Sequence, residues 1–152
     1  MKNLIIGIDP GVKTGIAVYD PELKRLLSVD TFKIYQAMQF ILYYKENHFT
    51  VFVRIEDARL RKWYGNSGRE VLQGAGSVKR DCGIWQDFLT DEYIDFDLVA
   101  PKNNRTKISA EMFKKITGYE GRTSEHGRDA AMMVYGINNQ INKNGHKTVA
   151  DS

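Results

Sequence analysis

The first apolar run, Leu4-Ile5-Ile6, continues to Ile8 and stops at Asp9-Pro10-Gly11. A continuous run of this kind predicts a strand over 3–9, buried on both faces and broken by Pro-Gly. Strands over 14–20 and 25–33 follow, divided at Asp20-Pro21. Connectors this short predict antiparallel hairpins. Residues 35–46 place Met38, Ile41, Leu42 and Lys45 at helical spacing, and the β-branched, aromatic TVFVRIED over 50–57 predicts a fourth strand. Over 67–89, Val71, Leu72, Ala75, Val78, Cys82, Trp85 and Leu89 recur at threes and fours, the mark of a long amphipathic helix. Gly74, Gly76 and Gly83 interrupt it, each at a cost of about 1 kcal/mol relative to Ala. IDFDLVAP over 94–101 predicts a fifth strand, closed by Pro101. Helices are predicted over 109–117 and 125–142, the last with Ser124 as N-cap, and the polar residues 143–152 predict a flexible tail. The order β-β-β-α-β-α-β-α-α predicts an α/β fold: a five-stranded mixed sheet, three antiparallel meander strands plus parallel strands, flanked by helices.

Composition adds limits. The 152 residues suit one domain with a real core, spanning 1–152, and 42% hydrophobic with 27% charged residues is globular usage. A net charge of +3 is compatible with a polyanionic partner without pointing to one. Cys82 is the single cysteine, which excludes an intramolecular disulfide and a Cys-built zinc site. No stretch reads as a signal peptide or a membrane span, so the expectation is a cytoplasmic protein with no membrane partner.

The candidate chemistry lies at strand ends. A carboxylate closing a buried strand, as Asp9 does, is costly unless compensated. Alone, Asp-Pro-Gly is equally a turn in which Asp caps backbone amides. Glu56-Asp57 ends another apolar strand, and Asp129 lies near the start of the last helix with His126 one turn earlier on its face. Asp9, Glu56, His126 and Asp129 can therefore converge if the two strands are parallel neighbours. Carboxylates roughly 4 Å apart repel by about 4 kcal/mol per pair at an effective dielectric near 20. Protonation or bound cations must relieve such a cluster, and oxygen-rich ligands with open positions suit Mg²⁺ or Mn²⁺. Asp57 is set apart, because consecutive strand residues point to opposite faces.

GIDPGVKTGIAV, IED and HGRDAAMM resemble the RuvC family of Holliday junction resolvases, within the RNase H-like nuclease superfamily. The likeness runs over about residues 3–140. It rests on Asp9, Pro10, Gly11, Thr14 and Gly15, then Glu56, then His126, Asp129, Ala130 and Ala131, all in order. NSGREVLQGAGSVKRD (66–81) resembles the family's long dimer-forming helix. The resemblance implies an RNase H-like fold and a homodimer formed through helix 67–89. It implies binding of four-way DNA junctions and paired nicks that leave 5′-phosphate and 3′-hydroxyl ends. Two Mg²⁺ ions per site, replaceable by Mn²⁺, are implied, held by Asp9, Glu56 and Asp129. His126 completes the set as a ligand or as the base for the attacking water. Lys107 is implied as a catalytic cation, with Lys102 and Arg105 beside it and Lys13 as a further DNA contact.

The chain departs from the family where an aromatic residue normally follows the Glu by three positions, since Arg59 stands there. Arg59, Arg61 and Lys62 suit phosphates, while Trp63 and Tyr64 suit base stacking or, equally, cap the core. The departure leaves open a broader nuclease acting on flaps, forks and Y-junctions, in a bacterial or phage-infected host cell. Lys79 and Arg80 read as ordinary solvated charges. An actin- or sugar-kinase-like phosphate-binding domain shares the Asp-x-Gly and Thr-Gly signals but needs two such domains around its nucleotide. A non-catalytic DNA-binding module has no structural need for clustered carboxylates.

Overall fold

The computed structural model describes residues 1–61, 69–101 and 107–137, with the backbone course alone for 69–75. Strands β1 (Lys2–Asp9), β2 (Lys13–Asp20) and β3 (Arg25–Lys33) lead into helix α1 (Ile34–Glu46), then β4 (Phe49–Glu56). A 3₁₀ turn (Ala58–Leu60), helix α2 (Arg69–Asp91), β5 (Asp95–Val99), α3 (Ala110–Thr117) and α4 (Glu125–Met132) complete it. The sheet order is β3-β2-β1-β4-β5. β1–β2 and β2–β3 are antiparallel, whereas β1–β4 and β4–β5 are parallel, so the predicted mixed sheet is found.

Alternation along β1 divides the core. Leu4, Ile6 and Ile8 face Ala37 and Ile41 of α1 and Trp85 and Leu89 of α2. Ile5 faces the other way, with Phe52 of β4, Phe113 of α3, and Ala130 and Val134 of the α4 segment. Burial on both faces explains the unbroken apolar run, at about 1.5–3 kcal/mol for each large side chain removed from water. The glycines of α2 do not interrupt it: the helix runs through Gly74, Gly76 and Gly83 to Asp91.

Most boundaries shift by one or two residues from the sequence reading, as at α2 and β5, and two differences have a clear cause. β4 ends at Glu56, because Asp57 caps the 3₁₀ turn by accepting from the Arg59 backbone N–H at 2.9 Å. The last helix ends at Met132 rather than 142, although Val134 and Ile137 keep helical spacing. The Met133 carbonyl, which a continuing helix would bond to residue 137, instead accepts from Arg54 Nη1 at 3.0 Å. Gly136 then takes a left-handed φ of 80°. Residues 138–142 and the predicted tail lie outside the described residues. Among the described residues no helix is long and apolar enough to cross a membrane.

Candidate active site

Asp9 follows Ile5 and Gly7 on the face of β1 that carries α4, by the two-residue period of a strand. Glu56 follows Phe52 on the same face of β4. The parallel register runs to Ile8↔Ile55, so Asp9 and Glu56 come next, side by side on strands about 4.8 Å apart. Asp57 turns away. It is buried in a bidentate pair with Arg59 (Nη2–Oδ2 2.8 Å, Nε–Oδ1 2.9 Å). Burial pushes the Asp57 carboxyl up, but the Arg59 bonds outweigh it and hold the net value below the usual carboxylate range.

Helix α4 brings the third acid and the imidazole. Ser124 Oγ accepts from the Gly127 N–H at 3.0 Å, the predicted N-cap, and its hydroxyl also bonds that of Thr31 on β3. Below the helix two sheet positions, Gly7 and Gly15, carry no side chain. A β-carbon on Gly15 would fall inside the van der Waals shell of the His126 carbonyl, and one on Gly7 inside that of Ala130. These two glycines let α4 lie almost on the strands. The close approach carries His126 Nδ1 to 3.1 Å from Asp9 Oδ2, and Asp129 enters one turn later, buried.

Electrostatics mark this as a strained cluster. The Asp9 carboxyl is raised to about 6, first by burial and then by repulsion from Glu56 and Asp129, against the lowering effect of His126. Lys107 supplies a counter-charge, with Nζ 3.3 Å from Asp129 Oδ2 and 2.5 Å from Glu125 Oε1. Its own pKa is raised by the Glu125 and Asp129 contacts, so it stays cationic. With Asp9 ionised, the 3.1 Å contact makes Nδ1 the protonated ring nitrogen and leaves Nε2 as an acceptor. The His126 side chain is 47% exposed.

The donor chemistry fits a hard divalent cation: carboxylates from β1, β4 and α4 with raised proton affinity at their centre. Among the described residues no group of three or more His, Cys, Asp or Glu side chains is arranged to hold a metal ion. The acids interact through space around an open end of the sheet.

Of the remaining candidates, Arg59 is committed to Asp57 and to Gln86 Oε1 at 2.6 Å, tying the turn after β4 to α2. Lys13 and Arg61 lie exposed. Lys62, Trp63, Tyr64, Lys102 and Arg105 lie outside the described residues. Glu125, which holds Lys107, was not singled out from sequence; as the first residue of a helix it reads there as ordinary dipole complementation. Arg54 was also passed over, though a lone basic residue within an apolar strand signals a buried partner.

No family model and no curated protein matches this chain. The solved structure of T. thermophilus RuvC in complex with Holliday junction substrate does, with a TM-score of 0.53, over 84% of this chain and 87% of that one, at 17% identity. The fold is that of RuvC. In this RuvC fold the acid cluster occupies the C-terminal ends of the two central parallel strands, β1 and β4.

Proposed function

We propose that this protein is a metal-dependent, structure-selective DNA endonuclease that resolves four-way junctions by paired phosphodiester nicks. The observation that carries the reading is the placement of Asp9, Glu56 and Asp129 at one end of a RuvC-type sheet, where burial first, and then repulsion from Glu56 and Asp129, raise the proton affinity of Asp9. A fold does not need this repulsion, and a divalent cation relieves it. Asp9, Glu56 and Asp129 would hold two Mg²⁺ ions, or Mn²⁺ in their place. Bound there, such ions supply an activated water and charge stabilisation at the leaving oxygen.

The chain's own residues do the rest. Asp9 orients the His126 imidazole, so that Nε2 faces the open side as proton acceptor for the attacking water. His126 Nε2 could serve as a metal donor only by giving up that role. Lys107, kept cationic by Asp129 and Glu125, is placed to meet the non-bridging oxygens of the phosphate under attack. Dimerisation through α2 would set two such sites on one junction. The second reading, broader action on flaps and forks, is favoured by Arg59, which stands clamped to Asp57 where the resolvase family carries an aromatic residue.

The test is cleavage of a labelled immobile four-way junction beside linear duplex, flap and fork, each with Mg²⁺, Mn²⁺ or EDTA. Paired, metal-dependent nicks confined to the junction support a resolvase. Equal cutting of flaps and forks selects the broader nuclease. Absence of cleavage with every metal, from folded protein, overturns both.

A further inference from the structure

Beside the acid cluster lies a groove of about 490 Å³ that the reading above leaves unused. It is lined by the first turn of α4, ending at His126, by Val12 and Lys13 after β1, and by Thr31, Phe32 and Lys33 at the end of β3. Register places it. Asp9 pairs with Gly15, and Gly15 with Thr31, so these three form one row across the sheet. Lys13 and Lys33 are direct cross-strand partners in the next row outward, about 7 Å further along the strands. Ala17, Tyr19 and Val29 belong to the core beneath α3 and α4, so by the period of two Lys13 and Lys33 share the face that bears Asp9.

Like charges directly opposite each other destabilise a sheet. Both lysines are exposed, and neither forms an ion pair among the described residues. The acid nearest them in the groove, Glu125, is already neutralised by Lys107 at 2.5 Å. Val12, at the lip, is 77% exposed despite being apolar. The groove thus presents two uncompensated ammonium groups, one step from the acids and opening onto His126. This is the charge pattern of a seat for a chain of phosphates.

We infer that the groove between Lys13–Lys33 and the first turn of α4 holds the sugar-phosphate backbone of the DNA strand being cut, with the two lysines on the phosphate neighbouring the scissile one. The inference rests on the nuclease reading and deepens it by giving the path of the strand. Arg59, held by Asp57, takes no part in that path.

The test is binding of a four-way junction in Ca²⁺ by wild type, by Lys13→Gln/Lys33→Gln, and by Lys24→Gln/Arg25→Gln at the far end of the same hairpin, across a salt series. Cleavage in Mg²⁺ is followed in parallel. The groove variant should bind about 10-fold more weakly, with the slope of log K against log salt reduced by about 1.5 in magnitude. The far-end variant should change the slope by less than half as much. An uncharged methylphosphonate at the phosphate next to the cleaved bond should weaken wild type and leave the groove variant almost unaffected. Equal slopes for the two variants, or an equal penalty from the methylphosphonate in wild type and groove variant, overturn the inference. Wild type that neither binds nor cuts the junction overturns the nuclease reading instead. Both lysine side chains are exposed, so far-UV circular dichroism of the variant should match wild type.

Discussion

Asp20 and Asp9 lie at opposite ends of the β1–β2 hairpin, and their environments treat them in opposite ways. Asp20 is fully buried, yet Lys2 Nζ stands 2.7 Å from Oδ2, and the Glu22 and Leu23 N–H groups donate to Oδ1 at 3.0 and 3.1 Å. Burial pushes its pKa up, but those three partners more than offset it and the net shift is downward. Asp9 meets His126 at 3.1 Å, while burial first, and then repulsion from Glu56 and Asp129, raise its pKa to about 6. One carboxylate is satisfied by the chain and holds a turn together. The other is left raised in proton affinity by its surroundings, the state that the proposed metal site would relieve.

The largest test of that contrast is Asp9→Asn. Cleavage of a four-way junction should fall by at least ~10³-fold, about 4 kcal/mol of transition-state stabilisation, with junction binding retained. Asp20→Asn should leave cleavage per folded molecule near wild type. A gel-based single-turnover assay separates the two, and comparable losses would erase the distinction.

Next in size is the ground on which α4 rests. Gly15→Ala puts a methyl group against the His126 carbonyl, so either the helix lifts or the sheet bends. A destabilisation of about 3 kcal/mol is expected by urea titration. Cleavage should be lost even where the protein stays folded, because His126 no longer meets Asp9. The same substitution at Gly76, which would meet nothing within 4 Å inside α2, should leave cleavage unchanged and raise stability by about 1 kcal/mol.

Stability against pH sharpens the comparison further. Asp9 has a folded pKa raised from 3.8 to about 6. The folded state therefore binds the proton more tightly, and stability falls as pH rises between those values, by about 3 kcal/mol in full. Without divalent metal, Asp9→Asn should be more stable than wild type at pH 7.5, and the gain should vanish towards pH 4. Asp20 has a lowered pKa, so its contribution is complete at neutral pH and is lost only as pH falls through its folded value. Asp20→Asn should accordingly be less stable than wild type by about 2 kcal/mol at pH 7.5, a deficit that persists at pH 5 and shrinks only in stronger acid. Parallel pH profiles for the two variants would contradict the opposite signs.

The smallest effect is the response to metal. Mg²⁺ at ten times its dissociation constant should stabilise wild type by about 1.4 kcal/mol and raise Tm by about 4 °C. Asp9→Asn should lose most of that shift, and Asp20→Asn should keep it. Thermal scans with Mg²⁺ and with EDTA decide it.

The sheet was legible in the sequence because its signals are local. The run Leu4–Ile8 is apolar whichever face is counted, and the turns at Pro10-Gly11 and Asp20-Pro21 leave no room for anything but hairpins. The Ser124 cap was legible for the same reason. The end of α4 was not: Met132, Val134 and Ile137 keep helical spacing, while the helix stops because Arg54, far away in sequence, takes the Met133 carbonyl. Arg59 was misleading in a similar way. A basic residue after a strand end suits DNA, and only the buried Asp57 beside it shows where its guanidinium goes. Lys13 is a candidate contact from the sequence, but its pairing with Lys33 requires the hairpin register.

By itself the sequence determined which residues carry charge at strand ends, the five strands and the order of the elements, since these follow from periodicity and turn chemistry within a few residues. The tertiary structure decided that Asp9, Glu56 and Asp129 repel one another, while Asp20 and Asp57 find cations. The repulsion depends on distances between segments 40 to 120 residues apart, set by the β1–β4 pairing and by two glycines that let α4 settle on the sheet, whereas Asp20 and Asp57 meet cations 18 and 2 residues away in the chain. Charge energies change steeply over a few ångströms in a buried site, so the same carboxylate is a clamp or a binding group according to what the fold places beside it.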